Sequence, residues 1–261
     1  MNTYTYPNPF KQKLQSGQLV LGTNLDAAVP TIATQACQSG IDFLWIDTEH
    51  GPYGVESLGA IPALVRQLGV APMIRVAWND PALIKKAYDV GAVAVMVPQV
   101  NTAEEAARAV QYARYPPIGQ RGISPNWPQL VGEDWGNVVR TANEETVLIV
   151  QIESAEAYAN LDAIARVPGI DVLFTGPMDL SASLGITTDM QNPKLQAIMQ
   201  DVPKRLMNTG LVTGTTLTDV SELQQKIGWG YRFLNVGSPM GYGVSALRQH
   251  VQALRSTPMP K

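Results

Sequence analysis

Residues 45–52 read Trp-Ile-Asp-Thr-Glu-His-Gly-Pro and close an apolar run of the chain. A stretch that is typical of a buried strand thus ends in two carboxylates, Asp47 and Glu49, and in His50, one of two histidines in the protein. Polar side chains at the carboxyl end of a hydrophobic strand are the usual position of an active site in an α/β barrel. The stretch therefore predicts both a strand and a functional site at its end.

Eight short apolar runs of this kind recur along the chain, and longer segments of helical character separate them. The runs are rich in Val, Ile and Leu without regular alternation, which is typical of parallel strands buried on both faces. The predicted strands are residues 20–24, 43–47, 73–76, 94–98, 147–153, 172–176, 212–217 and 233–237. Eight such units predict a single (β/α)₈ TIM barrel domain over residues 1–261, and a doubly wound parallel sheet is the alternative.

Glycines before most of these runs indicate where the intervening helices end. Glycine adopts the left-handed conformation that terminates a helix, so each of these positions is predicted to be a C-cap. The predicted C-caps are Gly40, Gly69, Gly91, Gly169, Gly210 and Gly228. Residues 115–136 break the pattern, because proline, glycine and tryptophan interrupt any helix there, and they predict a long loop after the fourth strand. A loop of this length favours a functional lid or wall, with a surface insertion as the alternative.

Composition and charge narrow the range of partners. The 261 residues are 45% hydrophobic and carry a formal net charge of −3, with Lys and Arg scattered along the chain. This distribution favours a small-molecule partner over nucleic acid or an anionic membrane. The first residues contain no signal-peptide core and no long apolar run follows, so we expect a cytoplasmic protein. The single cysteine, Cys37, excludes an internal disulfide and is expected to be a packing residue.

Polar residues at the ends of the predicted strands would share one rim of the barrel. They are Asn24, Asp47, Glu49, His50, Arg75, Gln99, Gln151, Glu153, Asp179 and Thr215. Glu153 continues a buried strand, where a carboxylate is unfavourable unless it is paired or binds a cation. Arg75 either pairs with Asp47 or Glu49 structurally or binds an anionic ligand, and Asp179 either caps a helix or takes part in the chemistry.

The residue types at this rim favour a cation held by carboxylates. With one cysteine and two histidines, a metal there would be bound mainly by oxygen, which suits Mg²⁺ or Mn²⁺. Glu153 and Asp179 follow neighbouring strands and could flank one ion. Every lysine falls on a predicted helix or terminus, which argues against a Schiff-base aldolase. Residues 237–243 resemble a phosphate-binding loop only weakly.

Taken together, these residues resemble the HpcH/HpaI aldolase family, metal-dependent class II pyruvate aldolases that include 4-hydroxy-2-oxoheptanedioate aldolase and 2-dehydro-3-deoxyglucarate aldolase. The resemblance covers nearly the whole chain. The matching segments are residues 8–11 (Asn-Pro-Phe-Lys), 46–52, Arg75 with 78–81 (Trp-Asn-Asp-Pro), 89–91, 114–122, 150–153 and 176–181. Asn24 departs from the family, which has a tryptophan on strand one, and so does the segment after Arg121. The resemblance implies that both positions lie on the side of the pocket that takes an aldehyde, so these departures leave the identity of that aldehyde open.

The resemblance implies a role for each rim residue. Glu153 and Asp179 would be the metal ligands, with Gln151, Gly176 and Pro177 beside bound pyruvate. Arg75 would contact the keto oxygen, His50 would be the acid/base residue paired with Asp89, and Asp47 would lie near the aldehyde. Asp89 closes the helix before strand four and therefore lies towards the opposite rim of its own barrel. It would therefore reach His50 by an unusual path or from a neighbouring subunit.

The implied activity is the reversible cleavage of a 4-hydroxy-2-oxo acid to pyruvate and an aldehyde, through a pyruvate enolate stabilised by a divalent metal, Mg²⁺ or Mn²⁺ with Co²⁺ as a further option. The family further implies a homo-oligomer, a trimer or hexamer, with an exchanged C-terminal helix. Two alternatives remain open from the residues. One is an oxaloacetate decarboxylase or a lyase similar to macrophomate synthase that uses the same enolate site, and the other is a catalytically silent barrel that binds a 2-oxo acid.

Overall fold

A closed barrel of eight parallel strands forms the centre of the computed structural model, which describes residues 8–258. The strands are β1 (Val20–Asn24), β2 (Phe43–Asp47), β3 (Ala71–Arg75), β4 (Ala94–Val97), β5 (Val147–Ile152), β6 (Val172–Thr175), β7 (Val212–Thr216) and β8 (Phe233–Asn235). Each strand pairs with the next in sequence, and β8 closes on β1. The predicted barrel is confirmed and the doubly wound sheet is wrong, because an open sheet would leave two unpaired edges.

Helices follow the strands and surround the barrel. Their bounds are α1 (Pro9–Gln15), α2 (Pro30–Cys37), α3 (Ile61–Gln67), α4 (Pro81–Asp89), α5 (Ala103–Ala113), α6 (Trp127–Val131), α7 (Trp135–Glu145), α8 (Ala155–Ala159), α9 (Leu161–Ala165), α10 (Pro177–Ser183), α11 (Pro193–Leu206), α12 (Val220–Trp229) and α13 (Pro239–Arg255), with a 3₁₀ turn at Val55–Leu58. The predicted glycine C-caps have positive φ except Gly228. Gly228 lies inside α12, and Gly230 at φ 115° ends that helix.

The core has an outer and an inner part. Outward-facing residues of the strands pack against the helices, and Leu44, Ile74 and Val95 are completely buried there. Inside the barrel, Phe43 and Phe233 stack with ring centroids 4.3 Å apart. Phe10 of α1 lies against both rings. Because α1 thus covers the amino-terminal end of the barrel, the carboxyl-terminal rim is the end available to a ligand.

The prediction of a helix-free loop over residues 115–136 is wrong in part. The segment contains α6, and α7 already begins at Trp135. It starts at the amino-terminal rim, where Asn126 N donates a hydrogen bond to Asp89 O at 2.9 Å. It then continues outside α3, where Trp127 packs on Ala63 and Val131 lines a cavity together with Ile61. Within one chain the segment is therefore not a wall of the carboxyl-terminal rim.

Two smaller predictions are confirmed by burial and position. Cys37 is buried at the end of α2, and burial raises the pKa of its thiol to about 11, so it is a packing residue. The lysines of residues 8–258 all lie on helices. No helix within this same part of the chain is long and apolar enough to cross a membrane.

Candidate active site at the carboxyl-terminal rim

An ion pair between β2 and β3 organises one side of the rim. Arg75 ends β3 and is 8% exposed, and it donates through Nε and Nη2 to the two carboxylate oxygens of Asp47 at 2.9 and 2.5 Å. The two residues are register partners on neighbouring strands, which places the side chains together on the inner face. Burial by itself would raise the pKa of Asp47, but the bonds to Arg75 outweigh it and hold the pKa below its usual value.

The third guanidinium nitrogen of Arg75 has weaker partners. Its Nη1 lies 3.4 Å from Gln151 Oε1 and 3.0 Å from Glu49 Oε2. The contact with Glu49 is an ion pair without hydrogen-bond geometry, because Glu49 Oε2 accepts no hydrogen bond from residues 8–258. Both of the structural pairings considered for Arg75 are therefore present. Of the three nitrogens, Nη1 is nevertheless the donor that a ligand could bind at the smallest cost, because its contacts are the weakest.

His50 lies at the outer edge of the group formed by Arg75, Asp47 and Glu49. Its side chain is 63% exposed, and Nε2 is 3.7 Å from Glu49 Oε2. The turn that presents it is held by Asp47 Oδ1, which accepts from the backbone N–H groups of Glu49 at 3.1 Å and His50 at 3.4 Å. A Cβ on Gly51 would meet Asp47 O at 2.0 Å, so the turn requires glycine there. Glycine after the histidine is thus a steric requirement of the turn.

Glu153 lies deeper, beyond the end of β5, and is 2% exposed. Its Oε1 accepts the backbone N–H of Gln99 at 2.7 Å, and its Oε2 accepts Gln151 Nε2 at 2.6 Å. Burial, together with the carboxylates of Glu49 and Asp179, raises the pKa of Glu153 to about 7. The N–H of Gln99 opposes that shift and does not cancel it.

Asp179 belongs to the first turn of α10, where Gly176 is the N-cap, so the capping alternative for Asp179 is wrong. The negative charge of Asp179 contributes to raising the pKa values of both Glu49 and Glu153. Gly176 stands directly over Glu153, since a Cβ there would lie 2.7 Å from Glu153 Oε2. The rim thus brings together β2, β3, β5 and α10 around one acidic centre.

The acidic centre fits a cation. Asp47, Glu49, Glu153 and Asp179 supply four carboxylates, and Arg75 forms ion pairs with two of them, Asp47 and Glu49. Among the described residues, no three His, Cys, Asp or Glu side chains converge on a metal-sized site. Mg²⁺ ordinarily takes one or two protein carboxylates and completes its shell with water and substrate oxygens. Two carboxylates as ligands, Glu153 and Asp179, with further negative charge nearby, are consistent with that manner of binding.

Asp89 lies apart from this centre, at the end of α4 and the opposite rim. Its Oδ1 accepts Arg121 Nη2 at 2.8 Å, and the Arg121 guanidinium carbon is 4.6 Å from the ring centroid of Tyr88. Arg121 is 5% exposed, so the pair is largely withdrawn from water. Within one chain Asp89 therefore does not meet His50, and the predicted dyad is not formed there.

Comparison with known proteins agrees with this geometry. The family model of HpcH/HpaI aldolase/citrate lyase matches residues 21–245. This chain belongs to that family. It is 39% identical over 233 residues to the 2-keto-3-deoxy-L-rhamnonate aldolase of Salmonella gallinarum (strain 287/91 / NCTC 13346), a match that covers 88% of this chain and 86% of the relative.

Solved structures of the HpcH/HpaI family share the fold over nearly the whole chain. A family protein of Burkholderia cenocepacia J2315 superposes with a TM-score of 0.88 at 31% identity, covering 94% of this chain and 98% of that one. The HpcH/HpaI aldolase of Desulfitobacterium hafniense DCB-2 also has a TM-score of 0.88, at 27% identity, with coverages of 95% and 97%. The resemblance to this family inferred from the motifs is confirmed.

Two features of this family member were not assigned a role from sequence. Gln99 has φ 54°, a left-handed conformation that is costly for a residue with a side chain, and this conformation accompanies the hydrogen bond from its N–H to Glu153. Asn235, at the end of β8, is 1% exposed. A lone polar residue closing an apolar strand was the available signal for Asn235. Nothing in the local sequence marks the φ of Gln99.

Proposed function

We propose that this protein is a divalent-metal-dependent aldolase that reversibly cleaves a 4-hydroxy-2-oxo acid to pyruvate and an aldehyde. The observation that carries the proposal is geometric: the buried Glu153 and the buried Arg75 both contact Gln151 at the carboxyl-terminal rim, so a carboxylate and a cation lie on either side of one amide. Such an arrangement is built to hold a ligand with both positive and negative groups. The relative of Salmonella gallinarum that is named an aldolase supports this assignment.

Arg75 would stabilise the negative charge that develops on pyruvate when the carbon–carbon bond breaks. Its Nε and Nη2 are committed to Asp47, which fixes the plane of the guanidinium. Nη1 would then donate to the keto oxygen, which becomes the enolate oxygen. A preorganised charged donor of this kind, in a site withdrawn from water, is an effective means of stabilising an oxyanion. Gln151, Gly176 and Pro177 would contact the pyruvate itself.

In cleavage, His50 would remove the proton of the 4-hydroxyl group as the C3–C4 bond breaks, and the enolate would take up a proton at C3 to become pyruvate. In the synthetic direction, pyruvate would lose that C3 proton and the new alkoxide would be protonated. Histidine is the residue type that exchanges protons near neutral pH. Its exposed position at the edge of the centre would give it access to the aldehyde half of the substrate, near which Asp47 would also lie. We propose that Asp89 of a neighbouring subunit orients this histidine, because Asp89 of the same chain lies at the opposite rim.

Glu153 and Asp179 would hold the metal, Mg²⁺ or Mn²⁺ with Co²⁺ as a further option, and the bound ion would supply Lewis-acid stabilisation of the enolate charge. Gln99 and Gln151 hold one oxygen each of Glu153 and so fix the direction of its remaining lone pairs. Orienting contacts of this kind are ordinarily worth about 10–100-fold in metal affinity.

A homo-oligomer, a trimer or hexamer, is also proposed. In α13 no residue is buried, and its apolar side chains include Met240, Val244, Leu247 and Leu254 at 51–74% exposure. An apolar helix face of this kind is typical of an interface. Exchange of α13 between subunits would cover it.

The function is tested by pyruvate release from a series of 4-hydroxy-2-oxo acids, with and without EDTA. We expect EDTA to abolish turnover and added Mn²⁺ or Mg²⁺ to restore it. Glu153→Gln should lower kcat at least 100-fold, whereas Glu156→Gln, a surface change on α8, should leave it unchanged. Undiminished turnover in EDTA would refute the metal-dependent mechanism. Rapid decarboxylation of oxaloacetate with no aldol product from any aldehyde would favour the decarboxylase alternative.

The proposed pairing of His50 with Asp89 of a neighbouring subunit is tested with two inactive variants. His50→Ala and Asp89→Asn are each expected to lose activity, and the mixed and reassembled oligomer should regain part of it. Recovery is expected because some interfaces would then pair an intact His50 with an intact Asp89 from the other chain. Absence of recovery in oligomers shown to be mixed would contradict the proposal that the two residues act across an interface.

A further inference from the structure

The half of the rim formed by β7, β8 and β1, together with the first turns of α13, contains a second polar feature, a cleft of about 500 Å³. None of the described residues that line it carries a charge. Its polar lining consists of amides and hydroxyls, which include Asn24, Thr216, Thr218, Asn235, Ser238 and Ser245. This composition differs from the acidic centre on β2, β3, β5 and α10.

Two of the asparagines that line this cleft each have a buried amide oxygen without a partner in residues 8–258. Asn235 is 1% exposed and donates Nδ2 to Thr216 Oγ1 at 2.9 Å, but its Oδ1 accepts nothing from residues 8–258. The buried Oδ1 of Asn24 is likewise without a donor in that part of the chain. Buried polar atoms are normally hydrogen-bonded, because leaving one unpaired costs folding free energy. Two such acceptors on neighbouring strands therefore point to a ligand that brings donors.

The cleft lies next to the reacting centre. Asn24 is the register partner of Trp45, and Asp47, which holds Arg75, is the next inward position of β2. Across the other edge of β1, Asn235 pairs with Gly22. Strand spacing and rise then separate the Cα atoms of the two asparagines by about 8 Å. A short chain attached to carbon 4 of the substrate could therefore reach both amides.

We propose that this cleft binds the aldehyde half of the substrate through its hydroxyl groups, and that Asn24 and Asn235 make the enzyme selective for hydroxylated aldehydes. The inference rests on the proposed aldolase function and deepens it. A hydroxyl group donates to an amide oxygen and accepts from the neighbouring hydroxyls of the cleft. An apolar aldehyde would leave both amides unpaired, and the uncharged lining offers no cation for a phosphorylated one.

The test compares three aldehydes with the same three-carbon chain: propanal, lactaldehyde and glyceraldehyde. For each, kcat/KM for addition to pyruvate is measured in the wild type and in Asn24→Leu and Asn235→Leu. The ratio of glyceraldehyde to propanal should fall about tenfold in each variant, because one hydrogen bond to a hydroxyl is lost. Comparing ratios between variants cancels the intrinsic reactivity of the aldehydes. Propanal itself should react as well as before or better.

Asn79→Leu is the matched control. Asn79 also has one amide bond, to Glu105 O, and a buried Oδ1 without a partner among residues 8–258, but it does not line the cleft. In Asn79→Leu, the ratio of kcat/KM for glyceraldehyde to that for propanal should remain that of the wild type. An unchanged ratio in folded Asn24→Leu and Asn235→Leu would overturn the proposal, and so would an equal fall in Asn79→Leu.

Two further measurements keep the outcome decisive. If the leucine variants do not fold, the wild type is assayed with glycerol and 1-propanol as competitors of the aldehyde. Glycerol should then inhibit more strongly, and equal inhibition would overturn the proposal. Exchange of the pyruvate methyl protons in D₂O reports the enolate site alone. If the pyruvate protons exchange but the glyceraldehyde-to-propanal ratio is the same in the leucine variants as in the wild type, only the cleft assignment is refuted. If the pyruvate protons do not exchange, the aldolase function itself is refuted.

Discussion

Replacement of Gly176 by alanine tests how tightly the structure fixes Glu153. Gly176 has φ −88° and ψ 96°, a conformation open to any residue, so the added methyl group causes no backbone strain. Its Cβ would lie 2.7 Å from Glu153 Oε2, 3.0 Å from Glu153 Cβ and 3.2 Å from Gln151 Nε2. The substitution therefore acts on the position of one carboxylate.

The size of the effect follows from these contacts. An ordinary contact begins at 3.4 Å, so the carboxylate of Glu153 must retreat by about 0.7 Å. A displacement of about 1 Å in a reacting group costs about 100-fold in rate. We expect kcat/KM to fall about 30- to 100-fold and metal affinity about tenfold. The free energy of unfolding should fall by only about 1 kcal/mol, the lower end for an added core methyl group.

The assay combines pyruvate release at saturating Mn²⁺, metal titration of the EDTA-treated protein and urea unfolding. Gly228→Ala is the control, because it lies inside α12 with no atom within 4 Å of its added Cβ. It should leave activity unchanged and stabilise the protein by about 1 kcal/mol. If folded Gly176→Ala keeps kcat/KM and metal affinity within twofold of the wild type, the reasoning that Gly176 fixes Glu153 is refuted.

Three further substitutions test other contacts, each by urea unfolding. Asp47→Asn should destabilise the protein by about 3 kcal/mol at pH 7, because Arg75 loses its main partner. Since Arg75 keeps the pKa of Asp47 in the folded protein below 3.8, the difference in unfolding free energy between wild type and variant should shrink below pH 4. A difference that does not change with pH would contradict this. Gln99→Gly should raise the free energy of unfolding by about 1 kcal/mol by relieving φ 54°, and a loss of stability would show that the side chain matters more than the strain. Arg121→Met should destabilise the protein by about 3 kcal/mol at pH 7, because Asp89 loses its partner. The loss should be smaller at pH 4, where Asp89 is more protonated because burial raises its pKa. Asp89→Asn alone and combined with Arg121→Met completes a double-mutant cycle, and additive changes in unfolding free energy would exclude the ion pair.

Much of the barrel was predictable because its rules are local and repeated. Each strand is a short apolar run, and the helices end at glycines with positive φ such as Gly91. β1 and β2 have the predicted bounds, whereas β3 begins two residues early, at Ala71, because the pairing partner Phe43 extends the ladder. Gly228 was misjudged because either of two nearby glycines satisfied the same rule, and packing placed the left-handed residue at Gly230.

The candidate site was predictable as a set of residues, because parallel strands in a closed barrel bring their carboxyl ends to one rim. Asp47, Arg75, Gln151, Glu153 and Asp179 therefore gather there whatever their separation in sequence. Their individual pairings were not predictable. Arg75 had two carboxylates within reach of its strand end, and side-chain geometry gave two hydrogen bonds to Asp47 and an ion pair to Glu49.

The barrel, the candidate rim and the family follow from the residue types along the chain, because these alone set the apolar runs, the polar strand ends and the motifs. Which atoms remain without partners depends on the packing of the folded chain. The raised pKa of Glu153, the left-handed Gln99 and the unpaired amides of Asn24 and Asn235 arise from groups distant in sequence and adjacent in space. Burial and hydrogen bonding are sums over such neighbours, and a linear pattern does not contain them.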